Sequence, residues 1–230
     1  KAQSANFPFC TIEPNIGVIT VPDERLNKLS ELVNPERIMP TTVEIVDIAG
    51  LVKGASKGEG LGNQFLGNIR ECNAIIHVLR CFDDGNIVHV DGSVDPVRDK
   101  DVIDMELQLK DLDTVEKRLD KAKKAARTGD KEAIKILAII EKYQSHLEAG
   151  KSIRSLDIDE ESVKLIGDMQ LLTEKPVLYV CNVDEVSAVS GNNHTKAVEE
   201  LVKDEECEVM YLCAGIESDI SELETYDEKQ

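Results

Sequence analysis

Tryptophan is absent, and aromatic residues make up only 3% of the 230 residues. That scarcity argues against RNA binding on an aromatic platform and against ring-lined carbohydrate or lipid pockets. Positive charge is also short. Lys and Arg number 27 against 45 Asp and Glu, giving a net charge of -18, which disfavours non-specific binding of a phosphate backbone by the chain as a whole. Any nucleic-acid or ribosome contact must be local, and no sequence-specific DNA binding is expected. No apolar run approaches the ~20 residues of a membrane helix, and the opening KAQSANFPFC lacks the apolar core of a signal peptide. Cys10, Cys72, Cys81, Cys181, Cys207 and Cys213 are scattered without metal-ligand spacing. They read as reduced core residues of a soluble, cytoplasmic protein, with disulfides or a metal as the alternative. What is present is 41% hydrophobic, enough to bury the core of one domain, or of one domain carrying an insertion.

Apolar runs at Val43 to Ile48, Ala74 to Leu79, Val177 to Cys181 and Val209 to Leu212 each end in a polar loop. Such runs predict an α/β fold with a parallel sheet covered by helices on both faces and ligands at the carboxyl ends of its strands. Between about Asp104 and Leu147 the period changes. Leu112, Val115, Leu119, Ala122 and Ala126 recur every three or four residues, and Ala133, Ile136, Leu137, Ile140 and Leu147 resume the pattern after Thr128-Gly129-Asp130. This predicts an inserted helical hairpin turning near Gly129. The expected organisation is a first part of the main domain over 1–103, the insertion over 104–170, and the remainder with an acid-rich end over 171–230. Lys117, Arg118, Lys121, Lys123, Lys124, Arg127 and Lys131 give the insertion a basic stretch, either a solvated helix face or an RNA contact.

Asp47-Ile48-Ala49-Gly50 closes one predicted strand. An Asp there can hold a magnesium ion in a nucleotide site, commonly through water, and the Gly50 N–H can approach a γ-phosphate because no side chain intervenes. A plain turn explains the same residues. The following Gly54 to Asn63 is too glycine-rich for a packed element and suits a segment ordered by ligand and released afterwards. Its Gly58, Gly60 and Gly62 spacing does not fit the GxGxxG dinucleotide pattern.

Asn6-Phe7-Pro8-Phe9-Cys10-Thr11-Ile12-Glu13-Pro14 and the run DIAGLVKGASKGEGLGNQFLGNIRE from Asp47 to Glu71 resemble the switch I and switch II segments of the YchF subfamily of Obg-related P-loop proteins. The likeness continues through Arg80-Cys81-Phe82, Ile87-Val88-His89-Val90, the helical insertion and Asn182. It implies a P-loop NTPase-type sheet, ATP binding with slow hydrolysis, Mg2+ with K+ as a further candidate ion, and a ribosome or other large assembly as partner. It makes Thr11 the switch I threonine reaching magnesium and the γ-phosphate, although a turn or helix-cap threonine fits the same residue. The family's phosphate-binding loop would lie upstream of Lys1 and its TGS domain beyond Glu217. Gly150-Lys151-Ser152 does not replace that loop, because a helix rather than a strand precedes it and Ser145 stands where the first glycine belongs.

Guanine-reading loops carry NKxD, whose Asp accepts two hydrogen bonds from the base. Here Asn182-Val183-Asp184-Glu185 puts Val in place of Lys and the longer Glu in place of Asp. The extra methylene displaces the carboxylate, so ATP is expected over GTP. Cys213-Ala214-Gly215 resembles the loop whose backbone N–H groups contact the base from the other side. Leu51 occupies the position of the water-orienting Gln of Ras-like enzymes. The resemblance points to His89 as the catalytic group, and an ordinary loop histidine is the other reading. The chain is therefore expected to be an ATP-driven switch, with a GTP-binding Obg-type protein or a non-catalytic module presenting its coiled coil as alternatives.

Overall fold

β-Branched residues place Asn15–Thr20 (β1) and Thr42–Asp47 (β2) in strands. The computed structural model describes residues 15–48, 61–85, 87 and 92–223, and the chain divides into two units, residues 1–50 and 51–230. In the first unit β1 and β2 form an antiparallel pair, with Asn15 opposite Asp47 and Thr20 opposite Thr42. The run from Val43 was expected in a parallel sheet. Its apolar character marks an extended segment but says nothing of the direction of its neighbour, and the partner it finds runs the other way. Glu24–Val33 (α1) joins the two strands, opened by Asp23, whose carboxylate accepts from the Arg25 N–H at 2.9 Å. It closes at Asn34, which adopts a left-handed conformation (φ 44°) and donates its N–H to Ser30.

The second unit carries Leu61–Glu71 (α2), Ile75–Arg80 (β3), Pro96–Ala126 (α3), Lys131–Glu148 (α4), a 3-10 turn Ile153–Ser155, Glu160–Ile166 (α5), Val177–Asn182 (β4), Ser187–Ser190 (α6), Asn193–Val202 (α7), Glu208–Leu212 (β5) and Ala214–Glu222 (α8). Its strands lie in the order β3-β4-β5, all parallel. Leu79, Cys81, Val177, Tyr179, Cys181 and Val183 pack with Val198 and Val202 of α7 to form the core under one face. Among the described residues no helix is long and apolar enough to cross a membrane.

The hairpin is present and turns at Gly129 (φ 79°), after which Asp130 caps α4 through the Ala133 N–H at 2.9 Å. It begins at Pro96, earlier than the apolar period indicates, with Asp95 accepting from the Arg98 N–H. The α3 and α4 faces meet through Val115, Leu119, Ala122, Ile139, Ile140, Tyr143 and Leu147. Gly150 (φ 70°) donates its N–H to Leu147, so the Gly-Lys-Ser there is a helix ending.

A polar cluster joins the base of the hairpin to the sheet. Lys100 of α3 is 3% exposed, and its ammonium bonds to Asp104 at 2.7 Å and to Glu205 at 2.9 Å. Glu205 also accepts from the Tyr179 hydroxyl at 3.0 Å. Burial disfavours the Lys100 charge, but the Asp104 and Glu205 carboxylates outweigh it and raise its pKa. A buried amine with two carboxylate partners remains charged and ties α3 to β4 and to the α7–β5 turn.

Candidate nucleotide-binding site

The parallel sheet brings Arg80, Asn182 and Leu212 level at its carboxyl edge, where open α/β sheets bind their ligands. Asn182 ends β4, and its side-chain carbonyl accepts from the Ala214 N–H at 3.1 Å. Ala214 is the first residue of α8, a position whose N–H has no partner within the helix, and Cys213 before it offers no side-chain cap. The Val183 N–H donates to the Leu212 carbonyl at 2.9 Å. The loops after β4 and β5 are thus one braced structure.

Within it the residues named from sequence divide. Val183 is 2% exposed and belongs to the core under the sheet, so its position in the motif is a packing position. Asp184 turns the chain. Its carboxylate accepts from the Ser187 N–H at 2.9 Å and from the Ser187 hydroxyl at 3.1 Å, which lowers its pKa. Glu185 and Ala214 are exposed, and Asn182 and Cys213 are half-buried. Of the two carboxylates on this turn, Asp184 is held by Ser187, and Glu185 projects exposed beside it. Val186 and Val189 follow, both strongly exposed apolar residues.

Arg80 organises the loop after β3, a role the sequence reading did not assign. Its guanidinium donates to the carbonyls of Phe82, Asp84 and Ile87 at 3.1, 3.2 and 3.1 Å. It also lies over the Phe82 ring, 4.7 Å from the centroid. The signal for it was the Arg that closes the strand Ile75–Arg80 before Asp83-Asp84-Gly85. Asn192 anchors the other side, donating its amide to the Cys81 carbonyl at 2.7 Å and capping α7 through the His194 and Thr195 N–H groups.

Thr11, Gly50, Leu51 and His89 lie outside the described residues. Asp47 stands exposed at the end of β2 in the first unit. Its carboxylate is a hard oxygen donor of the kind Mg2+ accepts. Among the described residues no three His, Cys, Asp or Glu side chains cluster as a metal cage, and Mg2+ bound through one or two protein oxygens and substrate phosphates needs none.

Residues 1–183 match the family model described as 50S ribosome-binding GTPase. The chain is similar to the protein named Ribosome-binding ATPase YchF from Bacillus subtilis, 52% identical over the whole of this chain and 63% of the relative. It is similar to the protein of that name from Escherichia coli O157:H7, 51% identical over 96% of this chain and 61% of the relative. The solved structure of the Schizosaccharomyces pombe YchF GTPase superposes with a TM-score of 0.78 at 35% identity, covering 97% of this chain and 62% of that one. The chain thus spans less than two thirds of the length of these relatives.

Proposed function

Since the chain belongs to the YchF family of P-loop NTPases, we propose that it forms the base-reading and switch portion of an ATP-preferring, Mg2+-dependent molecular switch acting at the ribosome in the cytoplasm. The observation that supports this reading is the brace between Asn182 and Ala214, which holds together the loops after β4 and β5; in the sequence motif that starts at Asn182, Glu185 stands where guanine-reading proteins have a shorter Asp. A glutamate there misplaces the carboxylate for the two guanine donors, while adenine has no matching donor pair to lose.

In this reading Thr11 and Asp47 hold Mg2+, Asp47 through water, and K+ is a further ion to test. Gly50 lets the backbone approach the γ-phosphate, and His89 orients the attacking water in place of the Gln replaced by Leu51. The metal supplies charge neutralisation on the phosphates. Slow hydrolysis fits the absence of a hydrogen-bonding side chain at Leu51. Lys117, Arg118, Lys121, Lys123, Lys124 and Arg127 are all exposed near the tip of the hairpin, a local basic surface suited to ribosomal phosphates on an otherwise acidic chain.

A second reading, GTP as the nucleotide, is favoured by the names of the relatives, which divide between ATPase and GTPase. Titration of the full-length gene product with ATP and with GTP, each with Mg2+, separates the two. ATP binding at least about tenfold tighter is expected. Equal affinities, or GTP the tighter, would overturn the ATP reading.

A further inference from the structure

Residues 171–175 connect two elements that sequence alone does not relate. On one side is Asp111, a fully buried carboxylate in the middle of α3. It accepts from the Leu172 N–H at 2.8 Å and from the Thr173 N–H and hydroxyl, both at 2.7 Å. On the other side is α2, the helix ending the segment that resembles switch II. The Lys175 ammonium donates to the carbonyls of Arg70, at 3.0 Å, and of Cys72, which are orphan acceptors at the helix end.

The segment between has little freedom to yield. Leu171, Leu172 and Thr173 are buried. The Ile153 N–H donates to the Thr173 hydroxyl at 3.2 Å, and the Arg154 N–H donates to the Thr173 carbonyl at 3.0 Å. Arg154 Nε donates to the Lys175 carbonyl at 3.2 Å. Every polar group that fixes the segment is thus bound to the hairpin, to its 3-10 turn or to α2. Arg70 of α2 has its Nε and Nη2 buried without a hydrogen-bond partner among the described residues; burial raises the Asp111 pKa, its hydrogen bonds to Leu172 and Thr173 oppose that, and the Arg70 charge opposes it least.

We propose that residues 171–175 are a rigid strap through which the hairpin and the switch helix move as one, with Lys175 the positioning residue for α2. The identification of α2 as a switch helix rests on the function proposed above. From Asp111 to the end of α3 at Ala126 is about 22 Å of helix, so a displacement imposed at the basic tip is delivered to Asp111, to the strap and then to the end of α2. The coupling runs equally in reverse: nucleotide that moves α2 biases the hairpin and hence its affinity for the partner.

Hydrogen exchange of the full-length gene product, followed by mass spectrometry, tests this in two arms. Without nucleotide, Lys175→Met, which keeps the aliphatic stem, should speed exchange in the last turn of α2 about tenfold. Asp111→Asn, which also removes the charge that acts on Arg70, should do the same, and peptides of β5 and α8 should not change. Thr173→Val, which leaves the Asp111 charge in place and removes the two hydroxyl bonds, to Asp111 and from the Ile153 N–H, should act in the same direction. Faster exchange at 172–173 with α2 unaltered in all three variants would overturn the strap. In the second arm, ATP with Mg2+ should change exchange in both α2 and α3 of the wild type. Lys175→Met should keep the first change and lose the second, and Lys175→Arg should restore it. A general loss of stability would move both helices together, and a retained α3 response in Lys175→Met would overturn the positioning role. A wild type with no response to nucleotide in any peptide would count against the proposed function, while the nucleotide-free arm would still decide the strap.

Discussion

The side-chain carbonyl of Asn182 accepts a 3.1 Å hydrogen bond from the backbone N–H of Ala214, across two loops that follow different strands. The bond satisfies an N–H at the start of α8 that the helix itself cannot, as a capping side chain would. Asn182→Ala should therefore lower stability by about 1 kcal/mol and weaken ATP binding about tenfold, since both loops relax. Asn182→Asp, which keeps an acceptor, should retain the stability. Urea unfolding and nucleotide titration read the two effects separately, and an unchanged affinity in Asn182→Ala would place base recognition elsewhere.

Gly191 sits between α6 and α7 at φ 68° and ψ -173°, a region open essentially to glycine alone. A Cβ built there would lie 2.5 Å from Thr195 Oγ1 and 2.9 Å from the Tyr211 ring. The Thr195 hydroxyl is part of the α7 cap, accepting from the Asn192 N–H, so it cannot move aside freely. Gly191→Ala should cost about 2 to 5 kcal/mol, combining backbone strain with overpacking. A shift of the unfolding midpoint worth under about 1 kcal/mol would show that the turn can rearrange.

The strand ends and the hairpin were legible because apolar runs and a three-to-four period report burial directly. The start of α3 was not, because its buried stripe is partly polar: Lys100, Glu106 and Asp111 occupy inward positions where a period read from Leu, Val and Ala finds nothing. Lys100 and Asp111 each have a partner remote in sequence, Glu205 and Thr173. Val183 shows the converse limit. Its place in a base-reading motif was visible, while the direction of its side chain into the core depends on the pleat of β4 continuing past Asn182.

His77, on β3 against the Tyr179 ring, gives a pH dependence. Burial depresses its pKa from 6.5 to about 4, with Lys100 and Arg154 adding to the effect and Asp104 and Glu205 opposing it. Between those values the unfolded chain binds a proton that the folded one refuses. Stability from this group is thus present above about pH 6.5 and falls as pH drops towards 4, by up to about 3 kcal/mol. Denaturant unfolding across that range should show a steeper slope in the wild type than in His77→Gln, and identical slopes would mean that His77 titrates normally.

Arg80 binds the carbonyls of Phe82, Asp84 and Ile87 in the loop after β3, and His89 follows two residues later in the sequence. If His89 orients the attacking water, His89→Ala in the full-length gene product should slow ATP hydrolysis about a hundredfold with little change in ATP affinity, the mark of an interaction made in the transition state. Arg80→Met, which frees three carbonyls of that loop, should slow it in the same sense. Wild-type turnover by His89→Ala, with and without ribosomes, would move the catalytic group to another residue or to a partner.

Base choice offers the sharpest test, and the structure determines which substitution to make. Restoring the full guanine-reading motif would require Val183→Lys, but Val183 is 2% exposed among apolar neighbours, where an ammonium would be costly to bury. That change would confuse specificity with stability. Glu185 is exposed, and Glu185→Asp shortens the carboxylate by one methylene without touching the core. A carboxylate placed for the two guanine donors gains charge-assisted hydrogen bonds of about 1.5 to 3 kcal/mol each before desolvation, so the GTP to ATP affinity ratio should rise at least about tenfold. Because Asp184 and Ser187 hold the turn in place, the unfolding midpoint should barely change. A ratio that stays constant while the fold is intact would show that the backbone around Cys213 and Ala214, rather than the Glu185 carboxylate, chooses the base.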